Sequence, residues 1–304
     1  MPQVLTSNAP ISSAFAAADS QTNEARVVIG GVTLALDEIL NKELFTPDKV
    51  KAFSEIFENN KPFQHIVFEG LFAPQLLELM YAEFDRQKWS DWRRFDNTHE
   101  RKRGSLPNTR FGHATQLYFN TIHSGFFVEF LQKITGVEGL LPDPTLAAGG
   151  LHEIPEGGRF SMHVDFNQHP VTRLDNRLVF ITYLNKDWQP SYGGALELHG
   201  MDDGDPKVAI APVFGRSALF YHSSKSLHGH PDPVNAPNGR PRRSAAAYFY
   251  SNGRSDGESP EFHTTLYPKP APLVRNQKLS NILKYLTPPI LVDALRLARK
   301  TIKR

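Results

Sequence analysis

The chain of 304 residues contains no cysteine. Disulfides, thiolate nucleophiles, iron–sulfur clusters and cysteine-ligated zinc are therefore excluded, and any metal must bind to histidine and carboxylate side chains. Hydrophobic residues make up 40% and charged residues 22% of the sequence, which is ordinary for a globular protein. A chain of this size can bury a substantial core.

The sequence also lacks long apolar runs and an excess of charge of one sign. No stretch approaches the roughly 18 apolar residues of a membrane span, and residues 1–20 lack the basic and apolar regions of a secretory signal. We therefore expect no membrane partner, and a reducing cytoplasm is the simplest location. Lys and Arg total 34 against 32 Asp and Glu, so the formal charge gives no reason to expect a nucleic-acid partner.

The composition changes along the chain. Residues 1–25 are rich in Ala, Ser, Asn and Gln and are predicted to form a flexible N-terminal arm. Residues 26–304 are predicted to form a single domain. Its core covers about 145–252, where short β-rich runs alternate with turn residues, and a helical segment covers about 273–304.

The β-rich runs predict an antiparallel sandwich or barrel. The predicted strands of the core are Leu151–Ile154, Arg159–Val164, Arg177–Leu184, Ala195–Leu198, Val208–Ile210, Ser217–Tyr221 and Ser244–Tyr250. Upstream, Phe63–Phe68 is a further predicted strand. Helices are predicted to begin at Pro74 and after Ser124, the second ending before Gly136. The charged stretch from Arg93 to Gly104 lacks periodicity, and we interpret it as a solvated loop in preference to a lid.

A metal site is predicted around His163-Val-Asp165. In a strand, residues two apart point to the same face, so His163 and Asp165 project together while Val164 faces away. A third ligand would complete the facial triad that is typical of non-haem Fe(II) oxygenases. On the tripeptide alone, an ordinary His–Asp hydrogen bond at the end of a strand is the preferred interpretation.

The third ligand must come from far along the chain. The segment from Ser226 to Pro231 follows a predicted strand and contains His228 and His230. His222, His228 and His230 are separated by even numbers of residues. In an extended chain they would point the same way, so spacing alone allows any of them to face inward.

A carboxylate site is predicted where Arg242 and Ser244 share one face of a strand. A buried guanidinium supplies two parallel donors and the hydroxyl a third, which suits a dianionic molecule bound beside a metal. The alternative is a basic surface cluster of Arg240, Arg242 and Arg243.

The run from Leu151 to Tyr250 resembles the 2-oxoglutarate/Fe(II) oxygenase superfamily, in its prolyl-4-hydroxylase-like branch. The resemblance covers roughly a third of the chain, and the ordered series of motifs is more specific than any single one. The matching motifs are Gly157-Gly158, His163-Val-Asp165, Thr182-Tyr-Leu-Asn185, Gly193-Gly194-Ala-Leu-Glu-Leu198, Gly215-Arg-Ser-Ala-Leu-Phe220, Ser226-Leu-His228-Gly229 and Arg242-Arg-Ser244.

The resemblance implies a mainly β fold, a double-stranded β-helix or jelly-roll core with helices packed outside it. It assigns iron to His163, Asp165 and His228, with His230 in reserve, and the distal carboxylate of 2-oxoglutarate to Arg242 and Ser244. One departure is Ile154, where many relatives have a tyrosine that contacts 2-oxoglutarate.

Two other side chains could replace that tyrosine. His152 and Tyr183 are the candidates, although a core role is favoured for each. Just past the iron motif, Asn167 and His169 could line the pocket or form a turn.

The function implied is a dioxygenase that hydroxylates an unactivated C–H bond of a small-molecule substrate, amino-acid-like or a natural-product intermediate. Fe(II), 2-oxoglutarate and O2 are the expected cofactor and cosubstrates, with ascorbate as a candidate stimulant and succinate and CO2 as co-products. An intact Asp165 argues against halogenation. The alternatives are a non-oxidative jelly-roll metal-binding protein and a cupin-type isomerase or hydrolase. No feature of the sequence predicts an oligomeric state.

Several arginines could meet an anionic substrate, although scattered arginines are usually solvated or paired. They are Arg93, Arg94, Arg101, Arg110, Arg159, Arg173 and Arg177.

Overall fold

The computed structural model describes residues 25–201, 204–258 and 261–267. Nearly all of the predicted N-terminal arm and the whole predicted C-terminal helical segment lie outside these residues. Within the described part, no helix is both long and apolar enough to cross a membrane.

Strands and helices are interspersed in the first half of the described chain, and the second half contains strands and short 3-10 helices. The helices are α1 (Pro47–Asn59), α2 (Pro74–Phe84), α3 (His113–Ile122) and α4 (Gly125–Thr135). The strands of the first half are β1 (Arg26–Ile29), β2 (Val32–Ala35), β3 (His65–Phe68), β4 (Trp92–Asp96), β5 (Arg101–Ser105) and β6 (Leu141–Pro142). Those of the second half are β7 (Gly150–Ile154), β8 (Phe160–His163), β9 (Asp175–Tyr183), β10 (Leu196–His199), β11 (Lys207–Ile210), β12 (Ser217–Tyr221), β13 (Leu227–His230) and β14 (Arg242–Ser251).

The pairing of β7 to β14 is that of a jelly roll. Each strand of the first half of this run pairs antiparallel with its mirror image in the second: β7 with β14, β8 with β13, β9 with β12, and β10 with β11. These eight strands form two sheets. One has the order β11-β10-β13-β8, and the other is extended by β3, β5 and β4 to the larger sheet of order β3-β12-β9-β14-β7-β5-β4. The expected fold class, a double-stranded β-helix with flanking helices, is confirmed.

The helices bury their apolar faces against the outside of the larger sheet. The predicted apolar face of α2 is buried through Leu76, Leu77, Met80 and Phe84, in one cluster with residues of α3, α4 and β9. The predicted ends of α4 are also present. Ser124 accepts a hydrogen bond from the Phe127 N–H at 3.3 Å, and Gly136 ends the helix in the left-handed conformation, φ 68°. Capping of this kind stabilises a helix by about 1 kcal/mol.

A second apolar cluster lies between the two sheets. It joins Val179 and Tyr183 of β9 and Phe220 of β12 to Leu196 and Leu198 of β10. The cluster closes one part of the space between the sheets, so the remaining space forms a cavity beside it.

The interpretation of Arg93 to Gly104 as a loop is wrong. These residues form the β4–β5 hairpin, which extends the larger sheet by pairing with β7. Both faces of this hairpin carry charged side chains, one towards the cavity and one outward. The sequence therefore shows no alternation of apolar and polar residues. Helices α1 and α3 and strand β13 were also not predicted.

Candidate metal centre

Three side chains that are distant in sequence meet between the sheets. His163 is the last residue of β8, Asp165 follows two residues later on the same face, and His228 lies directly opposite His163 on β13. One ligand atom from each lies within 4.8 Å of the others, and all three residues are buried. His163 Nε2 is 3.4 Å from Asp165 Oδ1, and His228 Nε2 is 3.4 Å from Asp165 Oδ2.

Backbone carbonyls orient both imidazoles. His163 Nδ1 lies 2.8 Å from the Ser161 carbonyl oxygen, and His228 Nδ1 lies 2.8 Å from that of Ser226. Because a carbonyl only accepts, each Nδ1 is a donor, and each Nε2 faces Asp165. His163 Nε2 is buried and has no hydrogen-bond partner among the described residues. This polar atom points into the site without a protein partner, as a metal ligand would.

The protonation states also suit a metal. Burial, with the neighbouring His228, lowers the pKa of His163 to about 4, so its imidazole is neutral at neutral pH. Burial alone would raise the pKa of Asp165, but His228 and His163 outweigh it and hold that pKa well below the usual value. His163 therefore offers a neutral nitrogen and Asp165 a carboxylate, and with His228 they form the two-histidine, one-carboxylate set that binds Fe(II) in facial triads.

Two further side chains hold Asp165 in place. Tyr248 donates a hydrogen bond to Asp165 Oδ2 at 3.1 Å, and the ring of His222 hydrogen-bonds to the Asp165 carbonyl oxygen through Nε2 at 3.1 Å. Sequence reasoning missed Tyr248, although a signal was present. Tyr248 continues the every-second-residue series that begins at Arg242 and Ser244 on β14.

Histidines of the same parity occupy different positions. His228 joins His163 and Asp165, whereas His230 lies opposite Phe160 beyond an irregularity in the β8–β13 register. His230 is buried and lines the cavity, but it is not part of the cluster. Gly229 lies between the two histidines. A glycine is required there because a Cβ would lie 2.9 Å from the carbonyl oxygens of Phe160 and Ser161.

A cavity of about 400 Å³ opens beside the three side chains. The two sheets form opposite walls, since β8 and β13 carry the histidines while β14 presents Arg242, Ser244 and Ala246. Arg242 and Ser244 therefore lie on the same face of β14, as expected. Arg242 is 5% exposed, so it does not belong to a basic cluster on the surface.

The position of Arg242 depends on the Gly193-Gly194 pair. Arg242 Nε donates to the Gly194 carbonyl oxygen at 2.6 Å, and the guanidinium lies 5.0 Å above the Tyr183 ring. A Cβ on Gly194 would lie 2.8 Å from Arg242 Cδ, and the φ of +69° there further favours glycine. The terminal nitrogens of Arg242 carry the parallel N–H groups that bind a carboxylate in pairs.

The remaining candidates divide between the cavity and the surrounding structure. His152 and Ile154 line the cavity, whereas Tyr183 is fully buried beneath Arg242. His169 has the turn role, because its Nδ1 accepts hydrogen bonds from the N–H groups of Val171 and Thr172. Asn167 hydrogen-bonds to the backbone of residues 261 and 263.

Of the seven scattered arginines, Arg93 lines the cavity. Arg177 instead donates to Ser251 and Tyr221. Arg159 binds the Thr98 carbonyl, and Arg173 covers the Phe262 ring.

Comparison with known proteins gives one match to a family. Residues 149–250 match the model of the 2OG-Fe(II) oxygenase superfamily, about a third of the chain. None of the curated proteins matches with significance.

Similar solved structures include prolyl hydroxylases. A Pseudomonas putida prolyl-4-hydroxylase has a TM-score of 0.49 and 17% identity, over 66% of this chain and 100% of that one. A Trichoplax adhaerens prolyl hydroxylase, in complex with a hypoxia inducible factor peptide fragment, has a TM-score of 0.49 and 15% identity, over 67% and 91%. Both scores are below 0.5, so neither likeness identifies a substrate.

Proposed function

The chain belongs, through residues 149–250, to the 2OG-Fe(II) oxygenase superfamily, and from this premise we propose that it hydroxylates an unactivated C–H bond of a small molecule. It is a dioxygenase with Fe(II) as cofactor and 2-oxoglutarate and O2 as cosubstrates. The observation that carries the proposal is the meeting of His163, Asp165 and His228 across a cavity from Arg242. Succinate and CO2 are the proposed co-products.

We assign the metal to His163 Nε2, His228 Nε2 and one oxygen of Asp165. When bound there, Fe(II) together with 2-oxoglutarate supplies the activation of O2 for oxidation of a C–H bond. A metal held by these three side chains would face the cavity that they line. Tyr248 fixes the orientation of the Asp165 carboxylate and withholds Oδ2 from other donors.

Arg242 and Ser244 are assigned to the distal carboxylate of 2-oxoglutarate. Burial lowers the pKa of Arg242, but a guanidinium stays charged in proteins. A buried cation without a counter-charge is costly, so a dianionic cosubstrate stabilises the site that it enters. The fixed guanidinium then orients the 2-keto end of the molecule towards the metal ligands.

The size of the cavity supports a small substrate. Its volume of about 400 Å³ lies near the lower end of the range of about 300–1,000 Å³ for small-molecule sites, and 2-oxoglutarate must occupy part of it. The β4–β5 hairpin and residues 262–267 line the same cavity. An amino-acid-like molecule or a natural-product intermediate fits this space better than a folded protein.

The test of catalysis is succinate formation from 2-oxoglutarate, with and without candidate substrates. The Fe(II)-loaded protein should form succinate slowly alone and faster with its substrate. Asp165→Ala should lose at least about 100-fold of this turnover and most of its bound iron, while His230→Ala keeps its iron. Full turnover in Asp165→Ala would contradict the assigned metal site, and stimulation by peptides alone would contradict the small-molecule substrate.

A separate test addresses the cosubstrate. Arg242→Lys should raise the KM for 2-oxoglutarate about tenfold or more, because a point charge replaces a two-pronged donor. The KM is measured from initial rates of succinate formation at saturating Fe(II). An unchanged KM would move the carboxylate site to another residue.

A further inference from the structure

The β4–β5 hairpin presents one charged face to the cavity. In its antiparallel register Phe95 lies opposite Lys102, and Arg93 lies opposite Gly104. Residues directly opposite each other share a face of the sheet, and all four line the cavity, as does Glu100. The neighbouring Arg103 points away from the cavity and forms an ion pair with Glu153 at 2.9 Å.

Lys102 is buried to an unusual degree for a lysine. Its side chain is 13% exposed, and Nζ lies 3.0 Å from Glu100 Oε2, itself 12% exposed. Nζ also lies 3.5 Å from the centroid of the Phe160 ring, and this ring stacks on the imidazole of His163 at 3.7 Å. The Lys102 ammonium and the imidazole of His163, a proposed metal ligand, thus both contact the Phe160 ring. Lysine side chains are rarely this buried unless they are paired or have a function.

Lys102 and Arg242 lie on the same wall but at separate places. Ser244 lies beside His152 on β7, which in turn lies beside Gly104 on β5. Continued by one residue, this register places Lys102 two strands from Arg242. At about 4.8 Å per strand the two backbones are about 10 Å apart, so the two cations serve different parts of the cavity.

The charges that line the cavity are not balanced once the cofactor and cosubstrate are bound. Fe(II) and Arg242 together compensate Asp165 and the two carboxylates of 2-oxoglutarate. Two cations and one anion of the hairpin then remain, namely Lys102, Arg93 and Glu100. Lys102 pairs with Glu100. Among the described residues no carboxylate lies within ion-pair distance of Arg93, an exposed side chain, so its guanidinium is available to an anion in the cavity that it lines.

We propose that the substrate is a small molecule with a carboxylate, bound by Lys102 and Arg93 on the inner face of the β4–β5 hairpin. The proposal rests on the proposed function and specifies its substrate class. The aromatic faces of Phe95 and Phe160 border this charge, so an apolar portion of the substrate can pack beside the acid group. Lys102 and Arg93 then orient the molecule, and the C–H bond to be oxidised faces the metal ligands.

The experiment uses the full chain loaded with Fe(II) at saturating 2-oxoglutarate. A small-molecule extract from cells of the source organism is separated by anion exchange at pH 7 into retained and unretained fractions. Succinate formation is measured with each fraction and expressed as a ratio to the turnover without any fraction. We expect stimulation by the retained fraction. Conversion of carboxylates to amides with carbodiimide and ammonia should abolish it, whereas phosphatase treatment should not.

Variants of the hairpin link this stimulation to named residues. Lys102→Met and Arg93→Gln should each lower the stimulation ratio about tenfold at subsaturating substrate, and Lys102→Arg should restore most of it by keeping the charge. Arg94→Gln, on the opposite face of the hairpin, is the matched control and should behave like the unchanged protein. A purely structural role of Lys102 in its ion pair with Glu100 would leave Arg93→Gln, an exposed position, without effect on the stimulation ratio.

Four outcomes of the stimulation assay and one of the KM measurement would contradict the proposal. The four are stimulation by the unretained fraction alone, stimulation that survives amidation, full stimulation of both Lys102→Met and Arg93→Gln, and stimulation by neither fraction. A rise in the KM for 2-oxoglutarate in Lys102→Met equal to that in Arg242→Lys would place Lys102 in the cosubstrate site and also overturn it. Absence of any succinate from the Fe(II)-loaded protein would instead contradict the proposed function.

Discussion

Tyr248 orients the side chain of a proposed metal ligand without being a ligand itself. Its hydroxyl donates to Asp165 Oδ2 at 3.1 Å. Burial and the charge of Asp165 raise the pKa of Tyr248 well above the usual value. The hydroxyl therefore stays protonated at every working pH and remains a donor. The Asp165 carboxylate is held in one orientation before a metal arrives.

We predict that Tyr248→Phe weakens Fe(II) binding about tenfold while the fold is kept, because loss of an outer partner of a metal ligand typically costs about 10–100-fold in affinity. Anaerobic calorimetric titration with Fe(II) measures the effect. Tyr250→Phe is the matched control on the same strand, since the Tyr250 hydroxyl is buried without a partner among the described residues. Equal affinities of the two variants would show that the Tyr248 hydrogen bond does not orient Asp165.

At the scale of elements, residues 261–267 form a strap across the cavity. Leu266 forms a backbone bridge with Val164, one residue from each of two proposed metal ligands, with hydrogen bonds of 2.9 and 2.8 Å. Tyr267 stacks on His99 at 3.8 Å, which connects the strap to the turn of the β4–β5 hairpin. Two segments that are distant in sequence thus contact each other and line the cavity together.

Asn167 fastens this strap. Its Nδ2 donates to the Glu261 carbonyl oxygen at 2.7 Å, and its Oδ1 accepts from the His263 N–H at 2.9 Å. Asn167→Ala removes both bonds, so we expect amide hydrogen exchange at 264–266 to become at least about fivefold faster. Exchange followed by mass spectrometry measures this change. Asn120→Ala, at an exposed position on α3, is the control, and identical exchange in the two variants would mean that Asn167 does not hold the strap.

At the scale of the whole molecule, buried histidines make stability depend on pH. Burial lowers the pKa of His123, His152, His163 and His222 to about 4 in the metal-free protein. Above pH 6.5 these imidazoles are neutral in both the folded and the unfolded chain. Between pH 6.5 and 4 the unfolded chain binds protons that the folded chain does not, so the free energy of unfolding falls as the pH falls through this window.

His123 isolates one part of this effect, because it lies outside the metal centre and its Nε2 is buried without a partner among the described residues. His123→Leu should reduce the pH dependence of the free energy of unfolding by up to about 1.4 kcal/mol per pH unit between pH 6.5 and 4. Urea unfolding of the metal-free protein at several pH values measures the slope. Above pH 6.5 the slopes of the two proteins should coincide. An unaltered slope at lower pH would show that His123 is protonated in the folded state.

The sequence by itself determined the relations that the two-residue period of a strand imposes. Arg242 and Ser244 share a face because alternate side chains of one strand always do, and the bridge at Val164 continues this alternation from His163 to Asp165, just past the end of β8. The same rule, with turn residues between the runs, predicted most strands of the core to within two residues. These relations are local, so they need no knowledge of the rest of the chain.

Only the tertiary structure decided relations between strands. His228 joins His163 because the register of β13 on β8 sets them opposite each other, and the irregularity after His228 moves His230 away. Lys102 and Arg93 reach the cavity because β5 pairs with β7. Register between distant strands depends on the packing of the whole core, and a shift of one residue would turn every side chain to the other face. A pattern read along one strand carries no such information.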